Sequence, residues 1–369
     1  MQHSNIVGGS TAKRVISCPG SVALVRKMPP QPSSVYADKG TMLHDAISRI
    51  LLDQGVAIGQ YKHKDQLLTQ ELYDEKITPA LDALDEIDPH GDLVYEVETR
   101  VGFGDLLPGV FGSTDLVGRI GDRALVLDWK FGDGVIVDAE ENAQLMFYAA
   151  AAMRTEALKW AFDGATEIEC VIVQPPMVKR WVTTPERIKE FERELVRAVK
   201  IASQEDAPLS QGEHCRWCAA KPICPQMTGA VDRAIKQQII NLDVDTLAQH
   251  LHTAELLEGW IKDLRALAFG LLEQGATVPG YKLVQKQARR QWVDEGKAAQ
   301  WLIAQKVNPT KVAEVISPAQ AEKELKKSKV ALPDDLVVAV SSGTTLAPVD
   351  DPRPAVQSFI GLSKALSKL

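Results

Sequence analysis

Apolar residues recur at three- and four-residue steps in Leu43, Ala46, Ile47, Ile50 and Leu51, which predicts a helix beginning near Gly40-Thr41 with one buried stripe and His44 at its edge. Upstream, Ser10 or Thr11 can cap a short helical stretch that Pro19-Gly20 stops, and the Pro-rich loop MPPQPSS follows. A charged helical region is expected from Gln66 to Ile87. The period then changes. LVYEVETRV, GVFGSTDLVGRI and RALVLDWKF, separated by Gly, Pro and Asp turns, predict three consecutive antiparallel strands. DAEENAQLMFYAAAAMR predicts an alanine-rich helix from about Glu141 to Arg154, and EIECVIVQPP a fourth strand closed by two prolines. A charged helix with Pro185 in its first position runs to about Ser203. Beyond Met227 the pattern is helical, with an expected break near Asp243 to Asp245 where Asp can cap a new helix. The remainder predicts a short strand pair around YKLVQKQARRQW, two or three short helices and a Pro-rich end.

Composition changes this picture little. A chain of 369 residues, 45% hydrophobic and 25% charged, is long enough for one large domain or two ordinary ones. No apolar run approaches a membrane span and MQHSNIVGGSTAKR lacks the apolar core of a secretory signal, so the expected location is the cytoplasm. A formal net charge of −7 argues against a chain coated in basic residues, yet leaves room for a local basic groove. Five cysteines, three of them clustered, fit metal ligation in a reducing compartment better than a disulfide framework.

The strands carry the candidate chemistry. Alternation puts Asp128 and Lys130 on one face with Trp129 opposite, and a hairpin can bring Asp115 beside them. Carboxylates at the mouth of an apolar sheet need a compensating charge. Mg or Mn, held through hard oxygen ligands, would supply it and would suit phosphodiester hydrolysis. Lys130 could then orient water or neutralise the phosphorane. His44 could complete the metal shell, and Gly40-Thr41 before it suits close approach of backbone to a ligand. Gln144 and Tyr148, four residues apart, share a helix face.

HCRWCAAKPICPQM is a second candidate site, with Cys215, Cys218 and Cys224 in a C-x2-C-x5-C array and no nearby fourth thiol. Spacing alone leaves iron-sulfur and zinc open, and His214 beside Cys215 is awkwardly placed to turn toward the same ion. Cys170, inside the apolar run ECVIV, reads as a buried core thiol.

Taken in order, Gly40, Thr41 and His44 (G-T-x-x-H), Gly112 and Asp115 (G-x-x-D), Asp128 and Lys130 (D-x-K), and Gln144 and Tyr148 (Q-x-x-x-Y) resemble the RecB-like branch of the PD-(D/E)XK nuclease superfamily. WKFGDGV and AEENAQLMFYA are further similar to a phage and prophage family with this core. The resemblance implies an α/β fold with a restriction-endonuclease-like core: a mixed central sheet flanked by helices, an iron-sulfur clasp and a mostly helical C-terminal region. It implies a nuclease whose Mg or Mn is held by His44, Asp115 and Asp128, with Lys130 catalytic and Gln144 and Tyr148 in support. An acid on the strand before G-x-x-D is also expected; Glu96 and Glu98 share a face, and Glu98 is preferred. AddB-type and CRISPR-associated members of the branch carry one cysteine before the core and three after it, which implies that Cys18, Cys215, Cys218 and Cys224 hold a [4Fe-4S] cluster, with structural zinc as the alternative.

The implied domains are 1–228, a nuclease core closed by those cysteines; 229–277, a helical segment; and 278–369, a small α+β region. In the last, Lys286, Arg289, Arg290 and Trp292 suit DNA contact, through phosphate affinity and base stacking. The implied activity is exonucleolytic hydrolysis of DNA in phage recombination, replication or repair, in the host cytoplasm. Expected partners are single- or double-stranded DNA ends and a phage single-strand-binding or annealing protein, with no membrane partner and room for an oligomer. The competing reading is a non-catalytic DNA-end-binding or recombination scaffold of the same fold.

Overall fold

A computed structural model describes residues 4–29, 33–132, 136–229, 244–286, 289–311, 314–315, 317–325, 330–340, 343–348 and 353–356. The chain divides into two compact units, Met1–Leu256 and Leu257–Leu369.

The first unit is built on a five-stranded mixed sheet: β1 (Val94–Gly102), β2 (Phe111–Ile120), β3 (Arg123–Trp129), β4 (Glu167–Gln174) and β5 (Met177–Thr183), hydrogen-bonded in that order. The first three strands are antiparallel, β4 runs parallel to β3, and β5 returns antiparallel to β4. Strand β5 is not apparent in the sequence. MVKRWVT sits at the sheet edge with most positions at least partly exposed, so it lacks the apolar run that marks β4.

Helices cover both faces. α1 (Ala12–Ser17), α4 (Ala143–Ala152) and α5 (Pro185–Ala202) pack with Val117, Val126, Ile168, Cys170 and Ile172 on one face. α2 (Val35–Leu51) and α3 (Thr78–Ile87) pack with Leu116, Leu125, Leu127, Trp129 and Val171 on the other. In α5, Ile188, Phe191, Leu195, Ala198 and Ala202 form the buried stripe, and Thr184 caps the helix by accepting from the Arg187 N–H at 3.3 Å. α4 is buried on every side from Leu145 to Ala152, so its alanines let sheet and helix approach closely. Cys170 is wholly buried, and burial pushes its thiol up to about 12.

Two expectations are corrected. The helix bearing His44 begins at Val35 rather than near Gly40, because Ser34 caps it, accepting from the Ala37 N–H at 3.1 Å, and Asp38 lies in the first turn. Residues 66–67 are not helical but pair with Lys62–His63 in a small hairpin, and helical structure resumes at Gln70.

α6 (Val244–Glu273) is continuous from Val244, and residues 230–243 lie outside the described part. In the second unit, β6 (Tyr281–Gln285) and β7 (Arg289–Trp292) do not pair with each other, contrary to the expected strand pair. Instead β6 pairs with β9 (Thr344–Pro348) and β7 with β8 (Val337–Val340), in one shared register. The Lys286 N–H donates to the Gly343 carbonyl at 2.7 Å between the two paired stretches. α7 (Glu295–Ala304) and α8 (Pro318–Leu325) supply Leu302, Ala321 and Leu325 to a small core. No described helix is long and apolar enough to cross a membrane.

Candidate active site

The register of β1, β2 and β3 sets three carboxylates in one row. Val97 faces Leu116 and Thr99 faces Thr114, which places Glu98 opposite Asp115; Leu116 faces Leu127, which places Asp115 beside Asp128. Neighbouring strands lie about 4.8 Å apart, so the acids are forced together. Glu96 faces Val117, one step out of the row. At Glu98 the ladder is interrupted and φ is +49°, a left-handed conformation that a non-glycine residue holds at a cost of about 1–3 kcal/mol.

His44 reaches this row from α2. Its Nδ1 lies 3.3 Å from Asp115 Oδ2, and its ring meets Phe131 edge-on at 5.2 Å between centroids. His44, Glu98 and Asp115 each offer a donor atom within 4.8 Å of the other two, the only such group of three or more His, Cys, Asp or Glu side chains among the described residues. The backbone N–H of Trp129 donates to Asp115 Oδ2 at 2.7 Å, and Ser113 Oγ donates to Glu98 Oε2 at 3.2 Å.

Asp128 belongs to the adjoining network. Gln144 Nε2 donates to its Oδ1 at 2.9 Å, and the Lys130 ammonium lies 2.6 Å from its Oδ2. Lys130 also donates to Gln144 Oε1 at 3.0 Å, and Gln144 donates to the Tyr148 hydroxyl at 3.0 Å. The three-donor group therefore contains Glu98 where the sequence reading placed Asp128, whose two oxygens face Gln144 and Lys130.

The charges are unbalanced. Burial pushes Glu98 up to about 7, with the negative charge of Asp115 adding to it. Burial likewise raises Asp128; Lys130 opposes the shift and Asp115 reinforces it. Burial disfavours charge on His44, but the carboxylate of Asp115, with Asp128 behind it, outweighs that and raises the imidazole above its ordinary value. Burial, then the charge of Asp128, holds the Tyr148 phenol far above the usual range, so it stays protonated.

Several contributors escape sequence reasoning. Gly9 packs so closely on Tyr148 that a Cβ there would lie 2.6 Å from the ring; beside it Gly112, already marked by the G-x-x-D motif, leaves a Cβ only 3.3 Å from Phe147 and Tyr148. Asn142 caps α4 by accepting from the Gln144 and Leu145 N–H groups, which fixes where Gln144 points. Gln174, at the end of β4, bonds residues on the C-terminal side of Lys130, accepting from the Val137 N–H and donating to the Gly132 carbonyl. Glycine pairs, Asx caps and a strand-ending Gln are too common to mark a site by themselves.

The cysteine array meets the N-terminal segment. Gly20 N–H donates to the Pro208 carbonyl at 2.9 Å, and a Cβ at Gly20 would lie 2.4 Å from the Ala207 carbonyl oxygen. The Ser210 N–H points at Cys18 Sγ at 3.4 Å, Ser210 Oγ donates to the Ser17 carbonyl, and Lys13 pairs with Glu213 at 2.9 Å. Cys18, Cys215 and Cys224 are buried and Cys218 half-buried, all as free thiols. Burial raises the Cys215 thiol, with further contributions from Cys18 and Cys224; burial raises Cys218, with Cys215 and Cys18 adding to it and Arg14 opposing. The residues proposed for DNA contact divide. Trp292 is half-buried against the Leu302, Ala321 and Leu325 core rather than standing free, and Lys286 is exposed; the side chains of Arg289 and Arg290 lie outside the described part.

The fold and site thus define a mixed α/β protein whose central sheet carries a row of acids, Asp115 and Asp128 buried and Glu98 half-buried, with a histidine beside them. The family model "Protein of unknown function (DUF2800)" matches residues 3–354, and the chain belongs to that family. Among solved structures, the chain is similar to SSO0001 at 14% identity, over 62% of this chain and 89% of that one, with a TM-score of 0.28. It is also similar to an alkaline exonuclease, LHK-Exo, from Laribacter hongkongensis, at 10% identity over 54% and 89% of the two chains, with a TM-score of 0.23. Both scores are too low to establish a shared fold.

Proposed function

We propose that this protein is a Mg- or Mn-dependent deoxyribonuclease of the PD-(D/E)XK type, acting on DNA ends. One observation carries the reading: His44, Glu98 and Asp115 offer donors within 4.8 Å of one another, directly beside the Asp128–Lys130–Gln144–Tyr148 network. Two acids and an imidazole suit a divalent cation, which would offset the burial and the Asp115 charge that raise Glu98. His44, Glu98 and Asp115 would hold the ion, with Asp128 alongside. A cation of this kind, when bound, activates water for attack at phosphorus and neutralises charge on the phosphate.

The chain's own groups do the rest. Lys130 sits between Asp128 and Gln144, so its ammonium is held where it can orient a water or meet charge developing on phosphate oxygens. Gln144 fixes Asp128 and Lys130 together, and protonated Tyr148 anchors Gln144. A DNA-end-binding scaffold would have no use for an acid row that weakens phosphate affinity.

The clasp belongs to the same proposal. Four thiols brought together from distant parts of the chain would hold a [4Fe-4S] cluster that staples the ends of the first unit. Structural zinc held by the same four thiols is the alternative.

The test is metal-dependent cleavage of end-labelled linear single-stranded DNA, linear duplex and closed circular DNA by anaerobically purified protein. Cleavage of linear substrates that stops in chelator and spares the closed circle is expected. Absence of cleavage with both Mg and Mn would overturn the reading in favour of the scaffold.

A further inference from the structure

The first turns of α2 extend beyond the core. Val35 and Tyr36 there are 65% and 87% exposed, although both are apolar enough to seek cover. Tyr36, Gly40 and His44 follow one another at four-residue steps, so they lie along one side of the helix. At its far end this line reaches His44 and the three-donor group. Between the two ends stands a glycine in a helix interior, where it costs up to about 1 kcal/mol relative to alanine. No turn or neighbour explains it: a Cβ at Gly40 would meet nothing within 4 Å.

We propose that Tyr36 and Gly40 form a lane for one unpaired strand of nucleic acid leading to the reacting centre. Gly40 leaves the helix surface bare, so that a sugar-phosphate backbone can lie against it on the way to His44. Tyr36 offers its ring as a platform for a base. His44 lies eight positions beyond Tyr36, roughly 12 Å along the helix, so the stacked base and the phosphate at the centre belong to different nucleotides of one strand. Charge agrees. Lys39, adjoining Gly40, has no ion-pair partner among the described residues, and Asp38 is already neutralised by Lys64 at 2.6 Å. A strand fits this lane better than a protein segment, because the lane ends at groups whose chemistry suits phosphate.

The inference deepens the nuclease reading, and binding tests it independently of cleavage. In full-length protein carrying Lys130→Ala, with Mn, the affinity for a short dye-labelled oligothymidylate is measured by fluorescence anisotropy. Tyr36→Ala and Gly40→Leu are each expected to raise Kd about ten-fold, and Tyr36→Phe to leave it near the parent value. Thermal unfolding should show Gly40→Leu at least as stable as the parent, and Mn should raise the melting temperature of every variant equally, so lost binding is not lost folding or lost metal. Unchanged Kd in Tyr36→Ala and Gly40→Leu, or no binding by the parent, would overturn the lane. Equal losses on a blunt duplex would overturn its assignment to an unpaired strand. Binding of oligothymidylate through these residues, together with wild-type protein that never cleaves, would count against the nuclease reading alone.

Discussion

The central sheet buries acids in two places, and their surroundings differ. Glu169 on β4 is 2% exposed, and Arg123 lies 3.1 Å from one of its oxygens while Arg180 bonds the other. Burial alone would raise Glu169, but hydrogen bonds and charge from the two guanidiniums more than offset it and the carboxyl falls below its usual range. In the row of Glu98, Asp115 and Asp128, one ammonium and one imidazole face three acids, and Glu98 and Asp128 are both raised. A buried acid that the fold has neutralised is a structural element. A group of acids left short of positive charge is a candidate site.

The largest expected effect separates the two. Lys130→Ala or Asp128→Ala should lower cleavage by at least roughly 10²–10³-fold while DNA binding persists, as followed by single-turnover assays on end-labelled DNA. Glu169→Gln should leave cleavage per folded molecule unchanged. Its cost belongs to stability: about 1–3 kcal/mol in chemical denaturation, less than for a fully buried pair because both guanidiniums reach water. If Glu169→Gln lost activity as Lys130→Ala does, the contrast between the two places would collapse.

The clasp gives the next effect in size. A link from Cys18 to Cys215 closes a loop of nearly 200 residues, worth roughly 5 kcal/mol in the chain-entropy model. Cys18→Ser and Cys215→Ser should each lower the melting temperature and remove the visible thiolate-to-iron absorbance of anaerobic protein. A colourless parent containing stoichiometric zinc would replace the cluster while keeping the staple.

These sites were legible in the sequence to different depths. The D-x-K and G-x-x-D motifs sit on strands that announce themselves by apolar runs, and antiparallel register then brings Asp115 beside Asp128. Glu98 could not be separated from Glu96 by alternation, since the choice depends on a pairing between strands. β5 stayed hidden because an edge strand needs few apolar residues. The start of α2 was misplaced because Gly40 reads as a boundary, whereas the Ser34 cap governs. The ribbon of β6 to β9 pairs residues more than forty positions apart, beyond the reach of any local pattern.

The smallest effect concerns pH. Glu98 has a folded value of about 7 against an ordinary 4.5, so between those values the folded protein holds a proton that the unfolded chain has released. Stability without metal should therefore fall as pH rises from about 4.5 through 7, and flatten above it. A divalent cation reverses the balance, because it needs the ionised carboxylate. The rise in melting temperature produced by Mn should accordingly be larger at pH 8 than at pH 5.5, and Glu98→Gln should lessen the metal-free slope over that range without abolishing it, because Asp128 and His44 are raised as well. Differential scanning fluorimetry across pH, with and without Mn, measures both. Glu169→Gln should keep that slope: the folded value of Glu169 lies below its ordinary one, so the stability it contributes is lost only as pH falls into the acid range. A metal-free slope that Glu98→Gln left unchanged would mean that it comes from Asp128 and His44 and not from the strained residue of β1.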